Sequence, residues 1–273
     1  MNWTRELEIG VSLAQRAGAA IAKARVSGFE QSRKADDSLV TSADLASDGI
    51  LRAGLHDAFP NDAVLTEESG WNGSADAARV WVVDPLDGTR SFARGDQEFS
   101  VLVGLIEGSE VILGIAHFPG TGRTFYAMRG QGAFVLESGN SPPRRLQGDP
   151  GPVSLTVSPS TSQDYRMALA RETGMAIGPI VNGAGAKLIC LAEGGARAYF
   201  SGHGLSVWDT AAPGLILEEV GGTLTDEWGA PLKYSGLAST FLHPGGIVAT
   251  VHCKHAAVVK NIQIVVTEFR KKG

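Results

Sequence analysis

The sequence has few of the features that mark secreted, membrane-bound or nucleic-acid-binding proteins. Its 273 residues include only two cysteines, Cys190 and Cys253, without CxxC spacing, so we expect core thiols rather than a disulfide or a zinc site. Acids precede any apolar stretch at the start of the chain, which indicates no secretory signal or membrane span and predicts a cytoplasmic protein. No Lys/Arg-rich run accompanies the formal net charge of −5, and this excludes a nucleic-acid polymer as the expected partner.

A hydrophobic content of 43% is enough for a large core, and its pattern changes along the chain. Apolar residues recur near the helical period over residues 5–25 and 43–58, whereas residues 80–136 hold short β-rich runs separated by glycine-bearing turns. The Ser-, Gly- and Pro-rich stretch 138–152 is the candidate boundary, and strand and helix patterns alternate after it. We therefore predict an N-terminal α+β domain over residues 1–145 and a C-terminal α/β domain over residues 146–273.

Residues 80–89, VWVVDPLDGT, are the most informative stretch. Four apolar residues predict a buried strand, and the proline after Asp84 keeps that residue extended at the strand end. Asp84 and Asp87 then face one point, while Gly88 and Thr89 open a turn whose N–H groups favour an anion. An Asp-Gly pair alone is equally typical of an ordinary turn. Carboxylates beside an anion-binding turn are the parts that a hard cation and a phosphate need.

Three more segments extend this pattern: KADDSLVTSAD at residues 34–44, TEES at 66–69 and VWDTAA at 207–212. With residues 84–89 they resemble, in order, the motifs of the inositol monophosphatase superfamily of metal-dependent phosphomonoesterases. Residues 95–101 and 185–194 are most similar to its bacterial 3′(2′),5′-bisphosphate nucleotidases. The resemblance implies an α+β or α/β layered fold, an αβαβα sandwich, whereas the pattern alone indicates only mixed α and β structure.

The resemblance also implies a site with two or three Mg²⁺ ions. Several converging carboxylates need such cations, because like charges raise one another's pKa. Carried over residue by residue, the ligands of a first ion are Glu67, Asp84 and the backbone carbonyl of Leu86, and those of a second are Asp84, Asp87 and Asp209. The residues expected to act in catalysis are Asp44, Thr89 and Glu67, the first two by activating the attacking water. The substrate contacts are expected at Gly88, Thr89, Lys187 and His203, and the C-terminal domain is expected to supply Asp209 and substrate contacts.

Two residues of the last motif have structural interpretations. Trp208 is expected to be a core aromatic that anchors the helix presenting Asp209. Pro213 removes a backbone donor, which a helix tolerates near its start, so we expect Asp209 in the first turn. Lys187, by residue type alone, is as typical of a solvated helix lysine as of a phosphate ligand.

The predicted function is Mg²⁺-dependent hydrolysis of a small phosphorylated metabolite by in-line attack of a metal-bound water. The favoured substrate is 3′-phosphoadenosine 5′-phosphate. Ser201 stands where many such nucleotidases carry an arginine, and Gly202 where inositol monophosphatases place an acid. Inositol 1-phosphate and histidinol phosphate remain alternatives, as does a non-catalytic phosphate-binding regulatory protein. The resemblance further implies inhibition by lithium and a homodimer.

Overall fold

The computed structural model describes residues 4–35, 37–139 and 141–271. Within these ranges the chain forms seven helices and fifteen strands. The helices are α1 (Thr4–Ser27), α2 (Ser42–Ala58), α3 (Thr89–Arg94), α4 (Gln163–Thr173), α5 (Ala184–Ala192), α6 (Val207–Glu219) and α7 (His255–Arg270). The strands of the first half are β1 (Gln31–Arg33), β2 (Leu39–Thr41), β3 (Ala63–Thr66), β4 (Gly70–Asn72), β5 (Arg79–Asp87), β6 (Ser100–Glu107), β7 (Glu110–Phe118), β8 (Arg123–Met128), β9 (Gly132–Leu136) and β10 (Arg144–Arg145). Those of the second half are β11 (Ser154–Val157), β12 (Ala176–Ile180), β13 (Ala198–Ser201), β14 (Thr223–Asp226) and β15 (Ile247–Thr250).

Two large sheets organise these elements. An eight-stranded sheet has the order β10-β9-β8-β7-β6-β5-β3-β4, in which β5 to β10 form an antiparallel meander and β3 runs parallel to β5. A five-stranded sheet has the order β12-β11-β13-β15-β14 and mixes parallel with antiparallel pairs. Strands β1 and β2 form a separate hairpin before α2.

The helices cover these sheets in layers. Helices α1 and α2 pack on one face of the eight-stranded sheet, and α5 and α6 fill the space between its other face and the five-stranded sheet. Helices α4 and α7 cover the outer face of the five-stranded sheet. The αβαβα sandwich implied by the resemblance is therefore present.

Strand β5 shows why the sequence selects this arrangement. Trp81 and Val83 belong to the core under α1 and α2, whereas Val80 and Val82 belong to the core shared with α5 and α6. Alternate residues of a strand point to opposite faces, so a strand buried on both sides must be apolar throughout. Strand β5 is therefore a central strand, buried on both faces, that ends in the two predicted acids.

The predicted helices, meander and alternating second half are all present, with two differences. The 138–152 stretch contributes β10 to the edge of the meander, and the division into domains at residue 145 stays a prediction. Pro213 lies in the interior of α6 rather than near its start, so that expectation was wrong, although Asp209 is in the first turn. Both cysteines are free thiols. None of the helices in the described ranges is long and apolar enough to cross a bilayer.

Candidate metal and phosphate site

The carboxyl end of β5 forms the base of the site. The pairing of β5 with β6 shifts register between Asp84 and Asp87, and this irregularity lets both side chains leave the strand near the same place. Asp84 Oδ1 accepts a hydrogen bond of 2.9 Å from the backbone N–H of Leu86. Gly88 follows with a φ of 85°, and a Cβ there would lie 2.8 Å from the Glu98 carbonyl oxygen. Only glycine fits this turn without strain.

Asp87 is held by donors from two other segments. Ser100 Oγ donates to Asp87 Oδ2 at 3.1 Å, and the backbone N–H groups of Ala184 and Gly185 donate to its two oxygens at 3.1 and 3.0 Å. A Cβ on Gly185 would lie 2.9 Å from Asp87 Oδ2, so the start of α5 approaches the carboxylate closely. These donors were not predicted from the sequence. The available signal was the pair of glycines that flank Ala184, Gly183 and Gly185.

Asp44 and Asp209 occupy equivalent places in their helices. Each is the third residue of its helix and accepts a hydrogen bond from the N-cap backbone, Asp44 from Thr41 at 2.9 Å and Asp209 from Ser206 at 2.7 Å. Both bonds use Oδ2, which fixes each side chain in a capping box. The remaining oxygen of each carboxylate is then directed by the helix start toward the site.

Asp84, Asp87 and Asp209 come together, as predicted, and offer ligand oxygens that all lie within 4.8 Å of one another. Burial and the charges of Glu67, Asp87 and Asp209 raise the pKa of Asp84 well above its usual value. Burial and the charge of Asp87 raise the pKa of Asp209 to about 8. Burial also raises the pKa of Asp87, while the charge of Lys187 opposes that shift. The cluster thus holds mutually repelling carboxylates.

Thr89 and Asp44 also meet as predicted. Thr89 Oγ1 donates to Asp44 Oδ1 at 2.9 Å and lies 3.0 Å from the carbonyl oxygen of Leu86, the predicted backbone ligand. Burial raises the pKa of Asp44, opposed by its hydrogen bonds to Thr41 and Thr89. A hydroxyl bonded to a buried carboxylate of raised pKa is suited to passing on a proton.

Glu67 lies beside this cluster rather than within it. Its backbone N–H bonds the Val83 carbonyl, and its Oε1 accepts from Lys34 Nζ at 2.8 Å. Lys34 Nζ also bonds Glu68 Oε1 at 2.7 Å. The charge of Glu67 raises the pKa values of Asp84 and Asp209, so the side chain lies within electrostatic range of both.

The two predicted substrate contacts of the second half differ in exposure. Lys187 is only 4% exposed, so it is not a solvated helix lysine. Its Nζ donates to the Gly183 carbonyl at 3.1 Å and lies 5.3 Å from the centre of the Tyr199 ring. His203 is exposed, although the partial desolvation of its ring and, to a smaller extent, the positive charge of Lys187 lower its pKa.

Two cavities have predicted site residues in their walls. One of about 600 Å³ is lined by Glu67 and Asp209 together with Lys34, Trp71 and Trp208. Trp208 is buried in the core shared by the two sheets, as expected, and stacks on Phe241. The other cavity, of about 350 Å³, has His203, Ser158, Tyr165 and Arg270 in its wall. Space for a small ligand is therefore present beside Asp209, and a separate cavity lies beside His203.

The residues of the cluster fit a hard divalent cation. The three aspartates provide only oxygen donors, and their ligand atoms lie close enough together to bind one centre. Burial and mutual repulsion raise their pKa values, and a cation would relieve that repulsion. Carboxylate oxygens are the ligands that Mg²⁺ prefers.

The layered fold and this acid cluster define the class of protein. The chain is a metal-dependent phosphoric monoester hydrolase, a conclusion that its relatives support. The model of the inositol monophosphatase family matches residues 2–266, and the chain belongs to that family.

A curated relative agrees with the branch that the sequence indicated, and solved structures agree with the fold. The chain is 34% identical over 247 residues to the 3′(2′),5′-bisphosphate nucleotidase CysQ of Salmonella typhimurium, a match covering 88% of this chain and 97% of the relative. The suhB extragenic suppressor protein of Bartonella henselae superposes with a TM-score of 0.79 at 23% identity, covering 95% and 99% of the two chains. CysQ of Bacteroides thetaiotaomicron superposes with a TM-score of 0.74 at 23% identity, covering 92% and 99%.

Proposed function

We propose that this chain hydrolyses the 3′-phosphate of 3′-phosphoadenosine 5′-phosphate in a Mg²⁺-dependent reaction. The chemistry rests above all on the convergence of Asp84, Asp87 and Asp209 beside the Thr89–Asp44 pair. The choice of substrate rests on the similarity to curated bisphosphate nucleotidases, which extends over most of the chain.

The chain would hold metal and substrate with separate groups. Asp84, Asp87, Asp209, Glu67 and the Leu86 carbonyl would bind the ions, and the turn at Gly88 would receive the phosphate. When bound, Mg²⁺ supplies Lewis acidity and neutralises charge on the phosphoryl oxygens. The site is thereby suited to positioning a phosphomonoester and compensating its charge, which is most of what phosphoryl transfer requires.

The proton of the attacking water has a defined path. Thr89 Oγ1 donates its own hydrogen to Asp44 Oδ1, so its lone pairs can accept a proton from the water. As the water attacks phosphorus, Thr89 passes its hydrogen to Asp44 and takes one from the water. The bond to the leaving oxygen then breaks, that oxygen takes a proton from solvent, and Asp44 returns the proton that it received to solvent. The products are inorganic phosphate and an alcohol.

A substrate panel tests this function. Purified protein with Mg²⁺ is assayed for phosphate release from 3′-phosphoadenosine 5′-phosphate, inositol 1-phosphate and histidinol phosphate. We expect the highest kcat/KM for the first. Equal turnover of all three would indicate a broad phosphatase, a clear preference for another member would overturn the proposed substrate, and no release from any would favour a non-catalytic binding protein.

Lys187 provides a sharper version of the substrate test. If Lys187 contacts the second phosphate, Lys187→Ala should lower kcat/KM about 10- to 100-fold more for the bisphosphate than for 2′-AMP, because a charged hydrogen bond is lost only with the former. If Lys187 only compensates Asp87 and Asp209, both substrates should lose rate equally. The second result would remove Lys187 from the substrate contacts.

Two further properties belong to the same proposal. We expect Li⁺ to inhibit the Mg²⁺-dependent reaction and the chain to form a homodimer. Phosphate release at increasing Li⁺ tests the first expectation, and light scattering coupled to gel filtration tests the second.

A further inference from the structure

Helix α2 contacts several segments of the site through one face. Asp44 accepts from Thr89 Oγ1, and Ser47 Oγ donates to the Pro85 carbonyl at 2.7 Å. One turn after Asp44, Asp48 Oδ2 accepts from Ser69 Oγ at 2.5 Å. Residues three and four apart share a helix face, so a single helix reaches the end of β5, the start of α3 and the turn after β3.

Asp48 is an unusual residue for that face. It is 3% exposed, and its ion pair with Arg52 is long, at 3.7 Å. Its Oδ1 is buried and has no hydrogen-bond partner among the described residues. A buried acceptor without a partner is costly, and folded proteins keep few of them. The bond to Ser69 is therefore the principal contact that a carboxylate at this position makes.

Ser69 closes the turn that carries Glu67. Its backbone N–H donates to Thr66 Oγ1 at 2.9 Å, so residues 66–69 form a compact turn after β3. The Asp48–Ser69 bond joins the end of this turn to α2. The Glu67 side chain itself bonds Lys34, which is 22% exposed and belongs to the loop after β1. The backbone N–H of Glu67 bonds the Val83 carbonyl of β5, and the Asp48–Ser69 bond attaches the other end of the same turn to α2.

We propose that Asp48 is a positioning residue that acts through Ser69 to fix the Glu67 turn for metal binding. This inference rests on the proposed role of Glu67 as a metal ligand. Partners that orient metal ligands typically contribute about 10- to 100-fold to metal affinity or activity. Because Asp48 acts through an intervening turn, we expect the lower end of that range.

The experiment compares Asp48→Ala, Ser69→Ala and the double variant. Mg²⁺ binding is followed by tryptophan fluorescence, since Trp71 and Trp208 line the same cavity as Glu67 and Asp209. Phosphate release is measured in parallel over a range of Mg²⁺ concentrations. Each single variant should raise the half-saturating Mg²⁺ concentration about tenfold, with kcat at saturating Mg²⁺ within about twofold of the wild type. The double variant should show the same shift in half-saturating Mg²⁺ concentration as either single variant, because both single substitutions remove the same Asp48–Ser69 bond.

Three controls separate positioning from folding. Asp48→Asn keeps an acceptor for Ser69 and should restore most of the affinity, whereas Asp57→Ala changes an exposed acid of the same helix and should have no effect. Thermal unfolding in EDTA reports on stability alone. If Asp48→Ala does not fold, Ser69→Ala, which alters an exposed residue, still removes the bond.

Unchanged Mg²⁺ affinity in the single variants, or shifts that multiply in the double variant, would overturn the proposal. A loss of kcat that saturating Mg²⁺ does not restore would also overturn it. A wild-type chain that binds Mg²⁺ without releasing phosphate would refute the proposed function and leave the binding comparison valid. A wild-type chain that binds no Mg²⁺ would refute both.

Discussion

The two sides of the acid cluster are held in different ways. On one side, Asp87 is buried and accepts hydrogen bonds from Ser100 and from two backbone N–H groups of the second half. On the other, Glu67 is half-buried and its side chain bonds a lysine of the loop after β1. Backbone donors at a helix start cannot rotate away, whereas a lysine can. The Asp87 carboxylate is therefore prearranged, whereas the Glu67 side chain can adjust while its turn stays in place.

The largest expected effect tests the prearranged side. Asp87→Asn keeps the volume but removes one charge from the cluster and one of the two acceptor oxygens that bind the N–H groups of Ala184 and Gly185. We expect phosphate release to fall by about 10²-fold or more, because preorganised electrostatic groups contribute on that scale. Steady-state phosphate release at saturating Mg²⁺ measures it, with Asp76→Asn as an exposed control. Retention of most of the activity would exclude Asp87 as a ligand.

Glu67→Gln tests the adjustable side and should have a smaller effect. The half-saturating Mg²⁺ concentration should rise by more than about tenfold, because weakening a ligand should cost more than losing a partner that orients it, and activity should largely return at high Mg²⁺. The Mg²⁺ dependence of phosphate release distinguishes it from Asp87→Asn, whose activity should not return. If high Mg²⁺ restored the activity of both variants, or of neither, the proposed difference between the Asp87 side and the Glu67 side would be wrong.

The raised pKa values predict how pH affects the metal-free protein. Folding raises the pKa of Asp209 from 3.8 to about 8, so the folded state binds a proton that the unfolded state releases. The associated stability is complete below the lower value and is lost as pH rises toward the higher one. Urea unfolding in EDTA should give a lower free energy of unfolding at pH 8 than at pH 6, and Mg²⁺ should stabilise more at pH 8. Asp209→Asn should weaken the dependence of the free energy of unfolding on pH. An unchanged dependence in this variant would contradict the prediction.

Lys34→Met should have the smallest effect. The pair with Glu67 is partly exposed, and such pairs contribute about 0–1 kcal/mol to stability. Glu68, whose side chain is 5% exposed, also loses its lysine, but burial raises the pKa of Glu68 to about 7, so it can take up a proton instead. We expect a melting temperature in EDTA close to that of the wild type and at most a few-fold change in Mg²⁺ half-saturation. A large loss of stability would show that Lys34 fixes Glu67 as firmly as backbone donors fix Asp87.

The sequence predicted the acids better than it predicted what surrounds them. Asp84 and Asp87 could be found because a strand buried on both faces leaves a continuous apolar run before them. Asp44, Glu67 and Asp209 depended on motif resemblance, since nothing in their spacing requires convergence. The structure brings Asp209 to Asp84 and Asp87, and Asp44 to Thr89.

The donors around those acids had no comparable signal. Ala184 and Gly185 donate to Asp87 through backbone N–H groups, which every residue except proline carries. The residue types at these two positions therefore do not predict the contact. The burial of Lys187 also depends on packing between distant segments, and residue type alone favours exposure. Contacts of this kind follow from the tertiary arrangement rather than from local pattern.

The capping boxes of α2 and α6 place one acid each at a helix start, but those helices belong to different layers of the molecule. Asp209 and the donors to Asp87 come from the middle helix layer, whereas Asp84 and Asp87 end a strand of the eight-stranded sheet. An ion bound among the three aspartates would thus link two layers whose sequences lie more than a hundred residues apart. Such an ion would act as a cross-link between the halves of the chain, so that opening the middle layer would release the metal, and metal binding would oppose that opening.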